Sequence, residues 1–266
     1  MTQAERRLYL IRSLLNEKTE YQSLNVPRDA EEQRKLLRSL MNVRTPKAAD
    51  ESFLHVQDAY LQQEMADEGI TDLDDLRPVS GDLYLWQGDI TRLKCGAIVN
   101  AANSGMTGCY IPCHACIDNC IHTFAGVQLR QDCAALMAEQ GHEEPTGQAK
   151  ITKAYNLPCD YVLHTVGPIV SGRVTREDER LLASCYRFCL ELAEKNSVRS
   201  IAFCCISTGV FHFPNERAAE IAVETVRRYK VETGSKIKVV FNVFKDLDKT
   251  IYERLLGANC APAARA

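Results

Sequence analysis

Hydrophobic positions change period once along the chain, near residue 80. Before that point they recur at helical spacing. Leu8, Ile11, Leu14 and Leu15 make one stripe, Leu36, Leu37, Leu40 and Met41 a second, and Phe53, Val56, Tyr60 and Leu61 a third. Asp29 stands where the second helix needs an N-cap. Residues 1–78 therefore read as a helical extension, packed on the main domain or presenting a docking surface. After Asp82, short apolar runs alternate with longer amphipathic ones. This predicts strands at 83–87, 97–100, 149–155, 161–166, 201–206 and 237–243, and helices at 117–139, 175–195, 214–230 and 247–257. Strands separated by helices of this length imply a largely parallel sheet with helices on both faces. The expected organisation is the extension over 1–78, an α/β domain over 79–258 and a tail over 259–266. Ligands of such sheets bind beyond the carboxyl ends of the strands, at loops feeding helix amino termini. Two loops meet that description: the one after Asn100, and Ser207-Thr208-Gly209-Val210-Phe211.

Composition narrows the class. With 45% hydrophobic and 25% charged residues, the 266-residue chain is ordinary for a globular protein with a full core. A formal net charge of −3 argues against electrostatic capture of nucleic acid, which needs a basic surface. No apolar run approaches the roughly 20 residues needed to span a bilayer. The amino terminus reads as an amphipathic helix rather than a signal peptide, so a cytoplasmic protein is expected. In that setting twelve cysteines mean metal, catalysis or buried thiols rather than disulfides. Cys185 and Cys189 fall on an apolar helix face, and Cys204 and Cys205 in a strand, so these four read as core. Cys95, Cys133, Cys159 and Cys260 are isolated and carry no signal.

Candidate chemistry concentrates in three places. From Cys109 to His122, four cysteines, two histidines and Asp118 fall within fourteen residues, just after a strand ending in Asn100-Ala101-Ala102-Asn103-Ser104. That is a metal or redox site on a ligand-binding loop. Ser207-Thr208-Gly209-Val210, with Pro214 opening the next helix, fits a phosphate cradle of backbone amides, although a plain strand-to-helix turn fits equally. His212 and Phe213 add an aromatic wall that stacks on a sugar or packs inward. In Gly88-Asp89-Ile90-Thr91 the carboxylate can accept from an exocyclic amine such as adenine's, or simply cap a turn. A GxGxxG fingerprint and a Walker A sequence are both absent, which disfavours a Rossmann dehydrogenase and a P-loop ATPase.

Taken together, Gly88-Asp89-Ile90-Thr91, Ile98-Val99-Asn100-Ala101-Ala102-Asn103-Ser104, Ile121-His122, His164-Thr165-Val166-Gly167-Pro168 and Ile206-Ser207-Thr208-Gly209-Val210-Phe211 resemble, in order and spacing, the ADP-ribose-binding macrodomain family. The resemblance covers about residues 80–258. It implies a three-layer α/β/α sandwich with a mixed, mostly parallel sheet and ADP-ribose in a cleft at the strand ends. Asp89 and Ile90 would meet the adenine, Ser207, Thr208, Gly209, Val210 and Phe211 would wrap the diphosphate, and Asn103 would bond the distal ribose. Phe244 would flank the adenosine end. Common macrodomains carry a glycine-rich loop where this chain has Cys109-Tyr110-Ile111-Pro112-Cys113-His114-Ala115-Cys116-Ile117-Asp118. That departure resembles the zinc-containing branch of bacterial and fungal hydrolases, some encoded beside an ADP-ribosylating sirtuin. The resemblance places the ligands of one Zn²⁺ on Cys109, His114 and Cys116, and Cys113 and Cys120 at variable positions.

The cysteines alone leave several chemistries open. Three protein ligands with a fourth position for water or substrate is the arrangement of catalytic zinc, and two Cys with one His is an attested set. Two thiolates cancel the metal charge, so such a zinc would orient a ribose hydroxyl or water beside a separate base. Alternatively Cys113 or Cys120 closes the tetrahedron of a structural zinc; Cys116 and Cys120 are spaced i,i+4. Cys109, Cys113 and Cys116 also match the iron–sulfur spacing of radical enzymes that use S-adenosylmethionine, but those usually carry an aromatic where this chain has Ala115. Unliganded thiols are the remaining option. The flanking motifs favour the catalytic zinc.

Asp118, in the first turn of its helix, either caps it or holds the distal ribose and activates water. His122 and His164 read as packing or hydrogen-bonding residues. The expected activity is zinc-dependent removal of mono-ADP-ribose from modified Asp or Glu side chains of proteins, with Asn103 and Asp118 as catalytic residues. A non-catalytic ADP-ribose reader with a structural zinc is the rival, and deacetylation of O-acetyl-ADP-ribose a third reading. Expected partners are ADP-ribose and a mono-ADP-ribosylated protein, with an ADP-ribosylating sirtuin system nearby; neither nucleic acid nor membrane is expected.

Overall fold

Three helices, α1 (Gln3–Asn16), α2 (Ala30–Val43) and α3 (Glu51–Glu68), precede the sheet. A computed structural model describes residues 1–257; the predicted tail over 259–266, the last residue of the predicted domain and Cys260 lie outside the described residues. Each of the three helices begins on a side-chain cap. Thr2 and Glu5 form a reciprocal capping box on α1, Asp29 accepts from the amides of Glu31 and Glu32, and Asp50 accepts from that of Phe53. Their apolar stripes meet in a cluster of their own around Leu10, Ile11, Leu37, Leu40, Phe53 and Leu61, to which the rest of the chain contributes Val127.

After α3 the chain runs β1 (Thr71–Asp72), β2 (Leu83–Gln87), β3 (Leu93–Lys94), β4 (Ala97–Ala101), α4 (Ile117–Ala125), α5 (Val127–Gln140), β5 (Ala149–Lys153), β6 (Tyr161–Thr165), α6 (Arg176–Lys195), β7 (Ser200–Phe203), α7 (Asn215–Thr233), β8 (Lys238–Val243) and α8 (Asp246–Leu256). Strands β1 and β3 form a two-residue parallel ribbon. The main sheet has six strands in the order β2-β8-β7-β4-β6-β5, parallel throughout except that β5 runs antiparallel to β6 at the edge. Right-handed crossovers sort the helices. The connection from β4 toward β6 puts α4 and α5 on one face. Those from β6 back to β7 and on to β8 run the other way across the sheet, which puts α6 and α7 on the opposite face.

Strands β4, β7 and β8 read as unbroken apolar runs because both their faces are covered. Ala97, Ile98, Val99, Ile201, Ala202, Phe203, Val239 and Val240 are all fully buried. Cys185, Cys189 and Cys204 are core residues too, and Cys205 packs partly buried against them.

Three predicted elements end early by two residues or more, among them the strand expected over 149–155, which stops at Lys153. The helix expected over 117–139 is two helices, because Gly126 sits at φ 99° and ψ 173°, a region open essentially to glycine alone. The strand expected over 201–206 leaves the sheet after Phe203. Cys204 to Ile206 carry on the apolar pattern but turn out of register to begin a loop. Among the described residues, no helix is long and apolar enough to cross a membrane.

Candidate functional site

Four parallel strands, β2, β8, β7 and β4, lie side by side and point their carboxyl ends the same way. The residues that follow them are therefore neighbours: Asp89 after β2, Phe244 after β8, Ser207 to Phe211 after β7, and Asn103 after β4. Three inter-strand spacings separate the first strand from the last, about 14 Å, the scale of an extended dinucleotide-like ligand.

At one end, Asp89 caps a short 3-10 turn over Ile90–Arg92. Its Oδ1 accepts from the Thr91 amide at 2.9 Å and the Thr91 hydroxyl at 2.7 Å. Oδ2 lies 3.8 Å from Arg92 Nε and stays part-exposed. One carboxylate oxygen thus builds the turn while the other faces outward. Ile90 is buried beneath it. Phe244 leaves the end of β8 with 75% of its surface exposed, an aromatic ring free to stack.

In the middle, Ser207 adopts φ 65° and reverses the chain after β7. The Thr208, His212 and Phe213 amides bond back into the loop or its flanks, and the Phe211 carbonyl accepts from Val170. Among the described residues the amides of Gly209, Val210 and Phe211 carry no such bond. Gly209 and Val210 are exposed, so this turn presents backbone donors to solvent, as an anion cradle requires. Gly167 closes its floor: a Cβ there would stand 2.1 Å from Ser207 Oγ. His212 is exposed and Phe213 buried, so the expected aromatic wall is not formed by the two together.

At the other end, Asn103 Nδ2 lies 3.3 Å from Asp118 Oδ2 and 3.2 Å from the Gly108 carbonyl. Asp118 Oδ1 accepts from Asn100 Nδ2 at 2.8 Å. The carboxylate is buried, and burial pushes its pKa up to about 6, against the lowering pull of Asn100 and Arg130. Behind it, His164 is fully buried and bonds to side chains rather than backbone: Asn100 at Nδ1, with Thr152 Oγ1 2.9 Å from Nε2. Burial lowers its pKa to about 3. His122 Nε2 is 3.6 Å from Asp118 Oδ1, and among the described residues neither of its nitrogens has a hydrogen-bond partner. Burial first, then His164 and Arg130, keep it neutral. Cys116, not Asp118, is the N-cap of α4; Asp118 sits inside the first turn with its carboxylate directed at Asn100 and Asn103.

The loop between β4 and α4 brings Cys109, His114 and Cys116 together, their ligand atoms within 4.8 Å of one another. Cys109 Sγ is 3.6 Å from His114 Nδ1. A tetrahedral zinc, with Zn–S about 2.3 Å and Zn–N about 2.0 Å, separates sulfur and nitrogen ligands by about 3.5 Å, so the residues fit the ion. Burial, with Cys109 beside it, pushes the Cys116 thiol up to about 12; this donor pair wants a cation to hold it as thiolate. Cys113 and Cys120 turn away. Cys113 Sγ faces Ser39 Oγ at 3.2 Å, and Cys120 Sγ lies 3.4 Å from Arg38. Neither thiol is placed to close the tetrahedron or complete a three-cysteine cluster. A second group of ligand-type atoms, His122, Cys133 and His164, lies buried behind Asp118, where both His164 nitrogens already have polar neighbours.

Asp89, Asn103, Asp118, the three-residue cluster and the 207–211 turn thus share one edge of the sheet. Sequence reasoning assigned no role to Asn100, Asn119, Arg38 or Asn42. Asn100 carried a signal, because an amide at the end of a fully buried strand must find polar partners.

The Macro domain model matches residues 99–222. The chain is 62% identical, over 96% of its length and 100% of the relative's, to the protein-ADP-ribose hydrolase of Treponema medium. It is 50% identical to that of Staphylococcus aureus strain MSSA476, covering 92% of each. Among solved structures, the Trypanosoma brucei macrodomain in complex with ADP-ribose superposes with a TM-score of 0.65 at 31% identity, over 83% of this chain and 95% of that one. The Oceanobacillus iheyensis macrodomain with ADP gives 0.61 at 35% identity, over 70% and 95%.

Proposed function

The chain belongs to the macro domain family, and on that premise we propose that it is a zinc-dependent hydrolase that removes mono-ADP-ribose from modified Asp and Glu side chains of proteins. The observation that carries this reading is the adjacency of the Cys109, His114 and Cys116 cluster to the Asn103–Asp118 pair. A mere binding cleft has no need of a buried carboxylate with a pKa near 6 beside a set of zinc donors.

Each group then has a task. Asp89 Oδ2 accepts the adenine amine and Phe244 stacks nearby. The amides of Gly209, Val210 and Phe211 hold the diphosphate, so binding energy far from the reacting bond positions it. Asn103 donates to the distal ribose. Cys109, His114 and Cys116 would hold a Zn²⁺, which would supply Lewis-acid polarisation of a ribose hydroxyl or water. Asp118 takes the proton of the attacking water at Oδ2, the oxygen that faces Asn103. Water adds across the ester, leaving a free carboxylic acid on the protein and a hydroxyl on the anomeric carbon of ADP-ribose. Reaction in oxygen-18 water places the label on ADP-ribose for attack at the anomeric carbon, and on the protein for attack at the carbonyl. The modification reversed is of the type an ADP-ribosylating sirtuin installs. The setting proposed is the cytoplasm, where the free thiols of the described chain stay reduced.

The test is release of ADP-ribose from a glutamate-modified protein before and after zinc is stripped with a chelator, with the fold checked by circular dichroism. Release should vanish on stripping and return with added zinc. Release unaffected by stripping would overturn the zinc dependence. Binding without release in either state would make the protein a reader.

A further inference from the structure

Helix α2 of the extension lies directly against the ligand loop. Arg38 donates through Nη2 to the His114 carbonyl at 2.8 Å and to Asn119 Oδ1 at 3.0 Å. Asn42, fully buried, accepts the Cys113 amide on Oδ1 at 2.9 Å and donates through Nδ2 to Thr123 Oγ1 at 2.8 Å. Asn119 in turn donates to the carbonyls of Cys109 and Ile111. Cys113 stands at φ 52°, a left-handed backbone that a non-glycine residue holds only when its surroundings fix it. That reversal folds His114 back to within 3.6 Å of Cys109 Sγ. From the other side Arg130 bonds the carbonyls of Met41, Asn42 and Arg44 at the end of α2, and its guanidinium lies 4.3 Å from the centre of the Tyr110 ring. The end of α2 and the loop are thus fastened to each other through Arg130 as well.

We infer that Arg38 and Asn42 are positioning residues of the metal centre, and that the extension exists in part to hold the Cys109–Cys116 loop in its ligating shape. The inference rests on the proposed zinc site. Asn119 and the His114 amide brace the Cys109 and Ile111 carbonyls locally, but the Cys113 amide and the His114 carbonyl, at the reversed backbone, take their side-chain partners from α2. The two α2 side chains supply one acceptor and one donor at adjacent residues, Cys113 and His114, just before the second and third ligands diverge.

Two measurements test this separately from the zinc reading. In metal-free protein, the Cys113 amide should be protected from hydrogen exchange in the native chain and exchange at least about 10-fold faster in Asn42→Ala, a step of about 1.4 kcal/mol in opening free energy. In zinc-loaded protein, chelator competition should show Arg38→Ala and Asn42→Ala binding zinc about 10–100-fold more weakly, the usual cost of losing an outer partner. Arg38→Lys should recover much of that loss, and Arg12→Ala, on the exposed side of α1, should show none. The Co²⁺-substituted variants should also have shifted absorption bands. Folded Arg38→Ala with native zinc affinity, or unchanged exchange at Cys113 in Asn42→Ala, would overturn the inference. If Asn42→Ala does not fold, the Arg38 pair decides it. A native chain that binds no zinc would instead overturn the zinc reading, and the clamp's metal role with it, even with Cys113 protected.

Discussion

A single buried amide ties Asp118 to His164: Asn100 Nδ2 lies 2.8 Å from the carboxylate and 3.1 Å from the imidazole Nδ1. Both contacts use the amide nitrogen, so Nδ1 of His164 accepts and its Nε2 proton faces Thr152 Oγ1. The Asp118 carboxylate, which only accepts, forbids the flipped amide, and the amide so oriented selects the His164 tautomer. Among the described residues Asn100 Oδ1 is buried with no hydrogen-bond partner.

Removing that amide should misplace the base. We expect Asn100→Ala to lower kcat about 10–100-fold, less than the roughly 100–10,000-fold of losing the general base outright because Asp118 itself remains, with a smaller change in KM, because the adenine and diphosphate contacts are untouched. Steady-state release of ADP-ribose measures both constants. A variant that keeps native kcat removes Asn100 from the support of Asp118.

Acid should weaken the fold through His164. Its folded pKa is lowered from 6.5 to about 3 by burial. Between those values the unfolded chain takes up a proton that the folded chain refuses, so stability falls as pH falls below about 6.5, at up to about 1.4 kcal/mol per pH unit. His122, shifted the same way, adds to this, while Asp118, shifted upward, opposes it below about pH 6. The difference between the native chain and His164→Gln isolates the one group. Urea unfolding at pH 7 and pH 5 should show the native chain losing about 2 kcal/mol relative to the variant. A difference independent of pH would mean His164 titrates normally in the folded protein.

What the sequence made legible was local. The strand over 83–87 matches its prediction to the residue, and the sheet-edge loops could be placed because each chemistry-bearing segment directly follows an apolar run. The cluster of Cys109, His114 and Cys116 lies within one loop, so its approach needed little beyond a turn. The partners of that loop were illegible for the opposite reason. Arg38 reaches His114 across 76 residues and Asn42 reaches Cys113 across 71. Both sit on a helix whose apolar period explains the positions around them and says nothing of polar residues between. The break at Gly126 was missed because the apolar pattern runs through it; the backbone conformation, not burial, ends the helix there.

Gly167 and Gly209 should separate two ways of losing ligand. A methyl on Gly167 would collide with Ser207 Oγ and stand 2.8 Å from Ile206 Cγ2. Overpacking of this kind costs about 1–3 kcal/mol, and the loop that moves is the one proposed to hold the diphosphate. Gly167→Ala should therefore lower Tm and weaken ADP-ribose binding about 10-fold, roughly 1.4 kcal/mol. A methyl on Gly209 meets nothing within 4 Å, so Gly209→Ala should keep its Tm while the methyl intrudes on the cradle and weakens binding. Calorimetric titration with a thermal melt distinguishes them. Native affinity in both variants would move the diphosphate away from this turn.

The cysteines of the ligand loop should divide sharply. Cys116 Sγ caps α4 through the Asn119 amide at 3.4 Å and belongs to the three-donor cluster. Serine could keep the cap, but its hydroxyl is a poor zinc donor. Cys116→Ser should thus fold, lose stoichiometric zinc and lose activity by about 100-fold or more, beyond the 10–100-fold typical of an outer partner. Cys113 Sγ bonds to α2, at Ser39 Oγ and the Lys35 carbonyl at 3.4 Å, and a serine hydroxyl can make both contacts. Cys113→Ser should keep zinc and turnover. Because zinc binding must displace the proton of a thiol pushed up to about 12, native zinc affinity should also fall as pH is lowered. Metal content, chelator competition at two pH values and ADP-ribose release measure all three. An active, zinc-free Cys116→Ser would leave Asn103 and Asp118 to carry the reaction alone, and zinc loss in Cys113→Ser would place the metal among the other thiols.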